Sequence, residues 1–563
     1  MKNLKHIYTI ITFFSILLIV GCSEDFLNRP PKDTIVDAGF YSTDNEVLSA
    51  TALLYNRVWF QYNDKASFAI GDYRGGTLLS GYNDRTWVEF NATADDEFNS
   101  SAWASFYVVI AQSNMAIQNI KKYAGVKVSE GVKKHAIAEA RFMRALAYRY
   151  LVMNWGEVPI IENNLTLLTD TTIQKNTVES IWKFVTYEMR AAAEDLMETA
   201  PAEGRITKWS AEGMLARFYL TRAGVESTNG VRKQEFLDSA KYYSERVILN
   251  SGKKLLSDYA SLFLFPYDNN EESLFELQWV STTQNEYGSA NSTPTMFTYD
   301  AEIAPEGGWG GDKAASFWML QQYEGFHEVG SGDLDTIKGK TLDQRLKATF
   351  FMPGAHYPEI TQDIDGGKTQ ELIFPFDNGG TNYANIKKYV VGGARDIGTT
   401  FQARYPNDTY MMRLAEMYLV YAEAELGNQS STTDAKALEY FNAVHTRSGL
   451  PAVSDPLTFD MLFRERIIEF AVESMAWYDL VSLHYYNPEK AYSIINSQDR
   501  GLYYIIPNQF PNPNEWTIVV AQNANRPRKV TAYSGNFTIP LPSAEVSQAP
   551  NLKKPAVDYY ASK

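Results

Sequence analysis

Hydrophobic positions along this chain follow two alternating textures. In the first, apolar side chains recur every three or four residues, the spacing of a helix with one buried stripe. Residues 135–154 (HAIAEARFMRALAYRYLVMN) are the clearest case: Phe142, Leu146 and Tyr150 recur every fourth position, with Ala138 and Ala145 beside them. Gly156 and then Val158-Pro159 stop that helix. The same spacing predicts helices over 46–59, 104–123, 177–198, 208–222 and 233–250, and again over 409–426, 433–448, 458–473 and 476–483. In 208–222, Met214 pairs with Phe218 and Leu215 with Tyr219, while Ala211 and Ala216 are small enough to admit a close neighbour. Helix pairs with short links and small contact residues bury their faces against one another in a row. The expectation is an all-α, tetratricopeptide-like helical-repeat superhelix with long loop insertions, in no strict register.

The second texture is aromatic and rich in Gly and Asn. The block 251–405 contains Gly307-Gly-Trp-Gly-Gly311 and Asp377-Asn-Gly-Gly380, with no long amphipathic helix beyond 314–323. Residues 64–99 read the same way, as loop. Long loops carried on a rigid body are where recognition usually sits. The expected division is a leader (1–21), a tether (22–45), an N-terminal helical part (46–250), a loop-rich ligand-binding insertion (251–405), a C-terminal helical part (406–490) and a wrapping segment (491–563).

The leader changes the picture of where the chain works. Lys2 and Lys5 precede an apolar run from Ile7 to Val20, which is too short to span a bilayer, and Leu18-Ile-Val-Gly-Cys22 resembles a bacterial lipobox. Cleavage before Cys22 and acylation there would anchor the chain, firmly if several acyl chains are added. Cys22 is the only cysteine, so a disulfide, a Cys₄ metal site or a thiol nucleophile is excluded from the mature protein. Ser23-Glu-Asp-Phe26 looks like an acidic tag that sends lipoproteins to the outer face of an outer membrane.

Charge and motifs then remove function classes. The net charge of −15 becomes −17 when Lys2 and Lys5 leave with the leader, which argues against nucleic acid and against docking on anionic lipid. His135, His327, His356, His445 and His484 show no metal-ligand spacing, and no G-x-S-x-G elbow occurs. The tripeptides Gly339-Lys-Thr341 and Gly367-Lys-Thr369 lack the upstream phosphate-loop glycine, those places being Leu334 and Gln362. Asp95-Asp-Glu97 reads as an acidic turn before a helix, and Asp363-Ile-Asp-Gly-Gly367 as a turn without the downstream calcium-loop Glu. Arg464, Glu465, Arg466, Glu469 and Glu473 are spaced for salt bridges within and between helices. No catalytic residue, metal or cofactor is expected.

Five segments stand out in order along the chain. Three are Arg141-Phe-Met-Arg-Ala running into Trp155-Gly-Glu-Val-Pro159, Ala211-Glu-Gly-Met-Leu-Ala-Arg-Phe-Tyr-Leu220, and Arg413-Leu-Ala-Glu through Ala422-Glu-Ala424. The other two are Asn442-Ala-Val-His-Thr-Arg-Ser-Gly-Leu-Pro451 and Arg464-Glu-Arg-Ile-Ile-Glu through Trp477-Tyr-Asp-Leu480, followed by a terminal Ile539-Pro-Leu-Pro-Ser. Together they resemble the SusD/RagB family of nutrient-binding outer-membrane lipoproteins. His445 stands where the family often has Arg, and Ser474-Met-Ala476 replaces a Gly-His-Arg-like step. The resemblance implies a non-catalytic lid on a SusC-like TonB-dependent transporter, handing it oligosaccharides, or peptides in some relatives.

A sugar ring presents an apolar C–H face and a hydroxyl rim, so its site needs a flat exposed aromatic beside amide, carboxylate or guanidinium groups. The candidates are Trp309 between its Gly pairs, Trp87 with Tyr82, Asn83 and Arg85, Tyr73 before Arg74-Gly-Gly76, and Tyr287 before Gly288. Trp103, Trp155, Trp182 and Trp477 fall on helical faces or at stop signals and belong to the core. Peptide capture, a glycoside hydrolase and a purely structural lid are the rival readings.

Overall fold

The structure, a computed structural model, describes residues 40–561 apart from 81–83, 169, 171, 282–286, 289, 300–302, 304–306, 330–334, 365–367, 376–381, 399–401 and 522–526. The leader, Cys22, the acidic residues after it, Tyr82 and Asn83 therefore lie outside the described residues. Among those described, no helix is long and apolar enough to cross a membrane.

Side-chain caps open many of the helices. At α1 (Asp44–Ala52), Thr43 Oγ1 accepts from the Glu46 amide at 3.3 Å and Glu46 accepts from the Thr43 amide at 2.8 Å, a reciprocal capping box. Asp96, from the acidic turn, caps α2 (Glu97–Tyr123) by accepting from Phe98 and Asn99. Ser129 caps α3 (Glu130–Trp155), which ends at Gly156 with a φ of +69°. There follow α4 (Val178–Asp195), α5 (Lys208–Val225) and α6 (Gln234–Asn250). After the insertion come α7 (Leu414–Leu426), α8 (Ala435–Arg447), α9 (Phe459–Glu469), α10 (Ala476–His484) and α11 (Pro488–Ser497).

Neighbours in this list pack as a row: α2 on α3, α3 on α4, α4 on α5, α5 on α6, α6 on α7 and α7 on α8. The insertion between α6 and α7 does not break the row, which is the helical-repeat architecture expected from the sequence. The close approach is possible because Ala211 and Ala216 are small and fully buried, and a Cβ at Gly213 would lie 2.8 Å from Met412. The stripe expected on α3 is in fact an all-round burial: every residue from Phe142 to Trp155 is buried, Arg144 and Arg149 included. Trp103, Trp155, Trp182 and Trp477 lie in the core as expected.

The second texture folds differently from loop. Its strands are β1 (Leu78–Ser80), β2 (Ser273–Leu277), β3 (Lys313–Ala315), β4 (Phe326–Glu328), β5 (Thr336–Gly339), β6 (Phe350–Phe351), β7 (His356–Ile364), β8 (Lys368–Ile373), β9 (Asn385–Ile386) and β10 (Thr409–Arg413). Two more, β11 (Tyr503–Pro507) and β12 (Trp516–Val520), come from the C-terminal segment. One antiparallel sheet runs β1-β3-β9-β6 and another β11-β12-β5-β4, while β7 pairs with β8 and β10 with β2. The expected helix over 409–426 thus starts five residues late, because Thr409–Arg413 pairs with Ser273–Leu277 as strand. Likewise only Phe317–Gln321 of 314–323 is helical.

Residues 64–80 are a larger correction. They are not surface loop but wide helical turns, Tyr62–Ala66 and Ala69–Tyr73, and a short strand, almost all of it buried. The glycines serve close packing: a Cβ on Gly71 would sit 2.4 Å from Ser474 Cα, and one on Gly75 2.6 Å from Ala476 Cβ. In the C-terminal segment, the Ile539 amide donates to the Asn154 carbonyl and the Val557 amide to the Lys175 carbonyl.

The insertion is tied to the helical row by a buried ionic network. Arg413 Nη1 donates to Glu272 at 2.7 Å and to Glu469 at 2.9 Å, and its Nε and Nη2 grip Glu473 at 2.9 and 2.7 Å. Arg447 bridges the same Glu272 and Glu469, while Arg345 joins Glu465, Glu469 and Asp343. His445 fits here too: its Nδ1 lies 2.8 Å from Glu465. The salt-bridge reading of Glu465, Arg466, Glu469 and Glu473 holds, whereas Arg464 donates to the Gln322 carbonyl.

Burial alone would raise the Glu469 carboxyl, but Arg447, Arg413 and Arg345 overcome it and hold the group well below the usual carboxylate range. A depressed folded pKa contributes stability that is complete above the unfolded value of about 4.3 and is lost as pH falls. Glu469→Gln leaves three guanidinium groups short of a partner and is expected to cost about 3–5 kcal/mol at neutral pH. Urea unfolding at pH 7 and at pH 3.5 measures this, and the gap between wild type and variant should narrow at the lower pH.

Candidate functional site

Pairing of β1 with β3 places Ser80 opposite Lys313, so the end of β1 lies beside the chain that follows the Gly307–Gly311 turn. The two regions singled out from the sequence are thereby brought together, although their residues divide between surface and interior.

Trp309 is 44% exposed. Its backbone is stitched down: the Trp309 amide donates to Thr295 and the Gly310 amide to Thr298, both at 2.8 Å. A Cβ on Gly308 would lie 2.3 Å from the Thr298 carbonyl oxygen and one on Gly310 2.2 Å from that of Phe297. The glycine pairs therefore let backbone lie on backbone, leaving a rigidly held indole in solvent. Beside it, Lys313 Nζ reaches the Trp309 carbonyl at 2.8 Å and Asp312 at 3.1 Å, and Ser80 Oγ donates to Asp312 at 3.2 Å.

Trp87 and Tyr73 correct the expectation of exposed rings. Trp87 is 1% exposed, stacks with Phe98 and donates its indole N–H to Asp96 at 3.1 Å. Tyr73 is fully buried edge-on against Phe68, its hydroxyl 3.4 Å from Asp84. Buried rings have no face to offer a sugar; these two belong to the hydrophobic core. Arg74 is also interior, over the Trp477 and Phe90 rings, and burial pushes its guanidinium down to about 9. Arg85 is engaged by Glu89 one turn on.

Tyr287 is half exposed and opens a cavity of about 840 Å³, together with Phe60, Asp64, Lys65, Glu97 and Gln112. Its ring stands edge-on to Phe60 at 5.2 Å and its hydroxyl donates to Asp64 at 2.7 Å. Burial raises the Asp64 carboxyl, and burial with the adjacent Asp64 raises the Tyr287 phenol. Asp84 is raised mainly by burial, partly offset by Lys313. Lys65, which lines the cavity, acts electrostatically on both Asp64 and Asp84. The Tyr287 cavity and the Trp309 turn thus each set an exposed aromatic beside polar groups, carboxylate, ammonium and amide among them, the equipment for holding hydroxyl-rich ligands. Asp64, Lys65 and Phe60 were not legible as site residues, because they sit in a segment whose other members are core.

A second constellation stands behind this cavity. Carboxylate oxygens of Asp268, Glu276 and Asp408 lie within 4.8 Å of one another. Asp408 accepts from the Trp279 amide at 2.7 Å, and Trp279 packs edge-on to Phe60, which carries Tyr287. Burial, then the neighbouring acids, lifts Asp408 to about 9 and Glu276 to about 7, and burial lifts Asp268 to about 6. The sequence showed no metal-ligand spacing, yet this oxygen-only set could hold a hard divalent cation such as Ca²⁺.

The comparisons with known proteins agree with this architecture. The SusD family pattern matches residues 271–559, and a pattern described as starch-binding associating with outer membrane matches 49–220. A SusD-like protein of Bacteroides ovatus is 38% identical over 487 residues, 86% of this chain and 84% of that protein. The starch-binding protein SusD of Bacteroides thetaiotaomicron is 25% identical over 374 residues, 63% of this chain and 65% of its own. A crystal structure with xylogluco-oligosaccharide is 33% identical with a TM-score of 0.78, covering 91% of this chain and 99% of that one. The chain belongs to the SusD family, as the five segments indicated.

Carboxyls raised by folding favour the folded state while protonated, so stability drains away as pH climbs from the unfolded values near about 4 through the folded ones. In a chelator, the melting temperature is expected to fall between pH 6 and 9. Ca²⁺ in place of the protons should raise it and flatten the slope; identical melting curves with and without Ca²⁺ would dismiss the cation.

Proposed function

We propose that this chain binds oligosaccharides at the cell surface and passes them to a partner SusC-like TonB-dependent transporter, acting by capture and not by catalysis. The observation that carries the reading is Trp309: a solvent-facing indole whose backbone is pinned by carbonyl contacts has no packing role that needs its ring outside. Tyr287 and the carboxylate and amide groups of its cavity add a second aromatic with hydroxyl-binding partners. Further support comes from a neighbour at 33% identity crystallised with xylogluco-oligosaccharide. In this reading Cys22 carries the lipid anchor, the acidic tag directs the chain outward, and the Trp309–Tyr287 face is turned toward the transporter's entrance.

Shallow exposed sites bind weakly, with dissociation constants from micromolar to millimolar, about −4 to −8 kcal/mol. The chain from Ser23 onward is run against polysaccharides, xyloglucan oligosaccharides and a peptide digest, by affinity electrophoresis and calorimetry. Trp309→Ala is expected to weaken glycan binding by about tenfold or more, roughly 1.4 kcal/mol, with unchanged melting temperature. Tyr287→Ala should weaken it as well, whereas Trp87→Ala should lower stability first, because it empties core volume. Binding of peptides but of no glycan would shift the reading to peptide capture, and release of reducing ends would shift it to hydrolysis.

A further inference from the structure

Deep in the helical row, four arginines converge on one small cavity of about 30 Å³, among α3, α5, α7, α9 and α10. Three of them have an acid each. Arg217 pairs bidentately with Glu416, Arg466 with Asp479 through Nε at 3.0 Å and Nη2 at 2.8 Å, and Arg232 with Glu423 at 2.9 Å. These six groups and Arg149 are the charged lining, so one positive charge is left over.

That charge belongs to Arg149, which is 2% exposed. Its guanidinium lies over the Tyr478 ring at 4.4 Å and the Tyr150 ring at 4.8 Å, and among the described residues no carboxylate pairs with it. Its Nε and Nη1 are buried without a hydrogen-bond partner. The same holds for Nη1 of Arg466 and Nε of Arg232, which line the same cavity. Ring faces alone compensate a desolvated guanidinium only in part, and an unpaired buried charge is among the costliest features a core can carry. Burial drives the Arg149 pKa down, and Arg217 adds to that by repulsion, as expected of a cation lacking its counter-charge.

The cavity has the right size and polarity for that counter-charge. A volume of about 30 Å³ holds one or two water-sized particles, too few for a carboxylate-bearing metabolite. The donors around it are guanidinium N–H groups, which bind anions by charge-assisted hydrogen bonds.

We propose that this cavity is a binding site for a single halide-sized monovalent anion, chloride under physiological conditions, held by Arg149 with Arg466 and Arg232. The ion completes a fourth ion pair and locks α3 against α9 and α10. It is structural and lies apart from the Trp309–Tyr287 face.

Crystals of the purified protein grown in sodium bromide and measured at the bromine absorption edge test this directly. An anomalous peak within hydrogen-bonding distance of Arg149 is the expected result; water density without anomalous signal overturns the proposal. In solution, the melting temperature should rise with bromide or chloride when gluconate keeps the ionic strength constant. Arg149→Met retains the packing on Tyr478 and removes the charge, so its melting temperature should not respond to halide. A response equal to that of wild type would overturn the role of Arg149. If the variant does not fold, the anomalous map of the wild type decides alone.

Discussion

The structure depends on a sharing of buried charge. Glu272 comes from the edge of the insertion, Asp343, Arg345 and Lys388 from its interior, and Arg413, Arg447, Glu465, Glu469 and Glu473 from the helical row. None of these groups can face solvent without leaving its partners unpaired in the interior. Removing ions from water costs more than a simple pair returns, so such a network contributes little net stability. Its consequence is specificity: the insertion has one docking position in which every charge is matched. Lys388, for instance, also donates to the Tyr259 hydroxyl at 2.7 Å, and Tyr259 donates to the Glu469 carbonyl at 2.7 Å.

The candidate site inherits its rigidity from that docking. β2 begins beside Glu272, pairs with β10 and leads to Trp279, whose amide is held by Asp408. From there edge-on aromatic contacts run through Phe60 to Tyr287. On the other side, Gly310 beside Trp309 lies against the Phe297 backbone, and the Phe297 ring packs on Phe68, which packs on Tyr73. Two exposed aromatics are thus each held by a separate chain of contacts, and a surface held in this way spares a ligand much of the cost of ordering the protein.

Asp72 shows how far the segment before β1 is built into the core. It is fully buried and accepts from the Val472 and Ser474 amides at 3.1 and 3.0 Å and from Thr77 Oγ1 at 2.8 Å. Val472 and Ser474 have φ of +65° and +59°, a conformation that disfavours side chains, and the shared carboxylate compensates for it.

The helices, their order and much of their extent were legible in the sequence, because a 3.6-residue apolar period and a capping residue act over a few neighbours. The core tryptophans were legible for the same reason, and the five segments carried the family. Trp309 could be picked out as exposed, since its glycine flanks mark a backbone that must approach another closely. Only the tertiary structure decided that Trp87 and Tyr73 are core and not surface, that Gly75-Gly76 marks tight packing, and that Asp64 and Lys65 border a cavity with Tyr287. It alone gathered Asp268, Glu276 and Asp408, and left Arg149 without an acid. Each of these depends on which residues hundreds of positions apart end up touching, and local periodicity carries no record of such contacts.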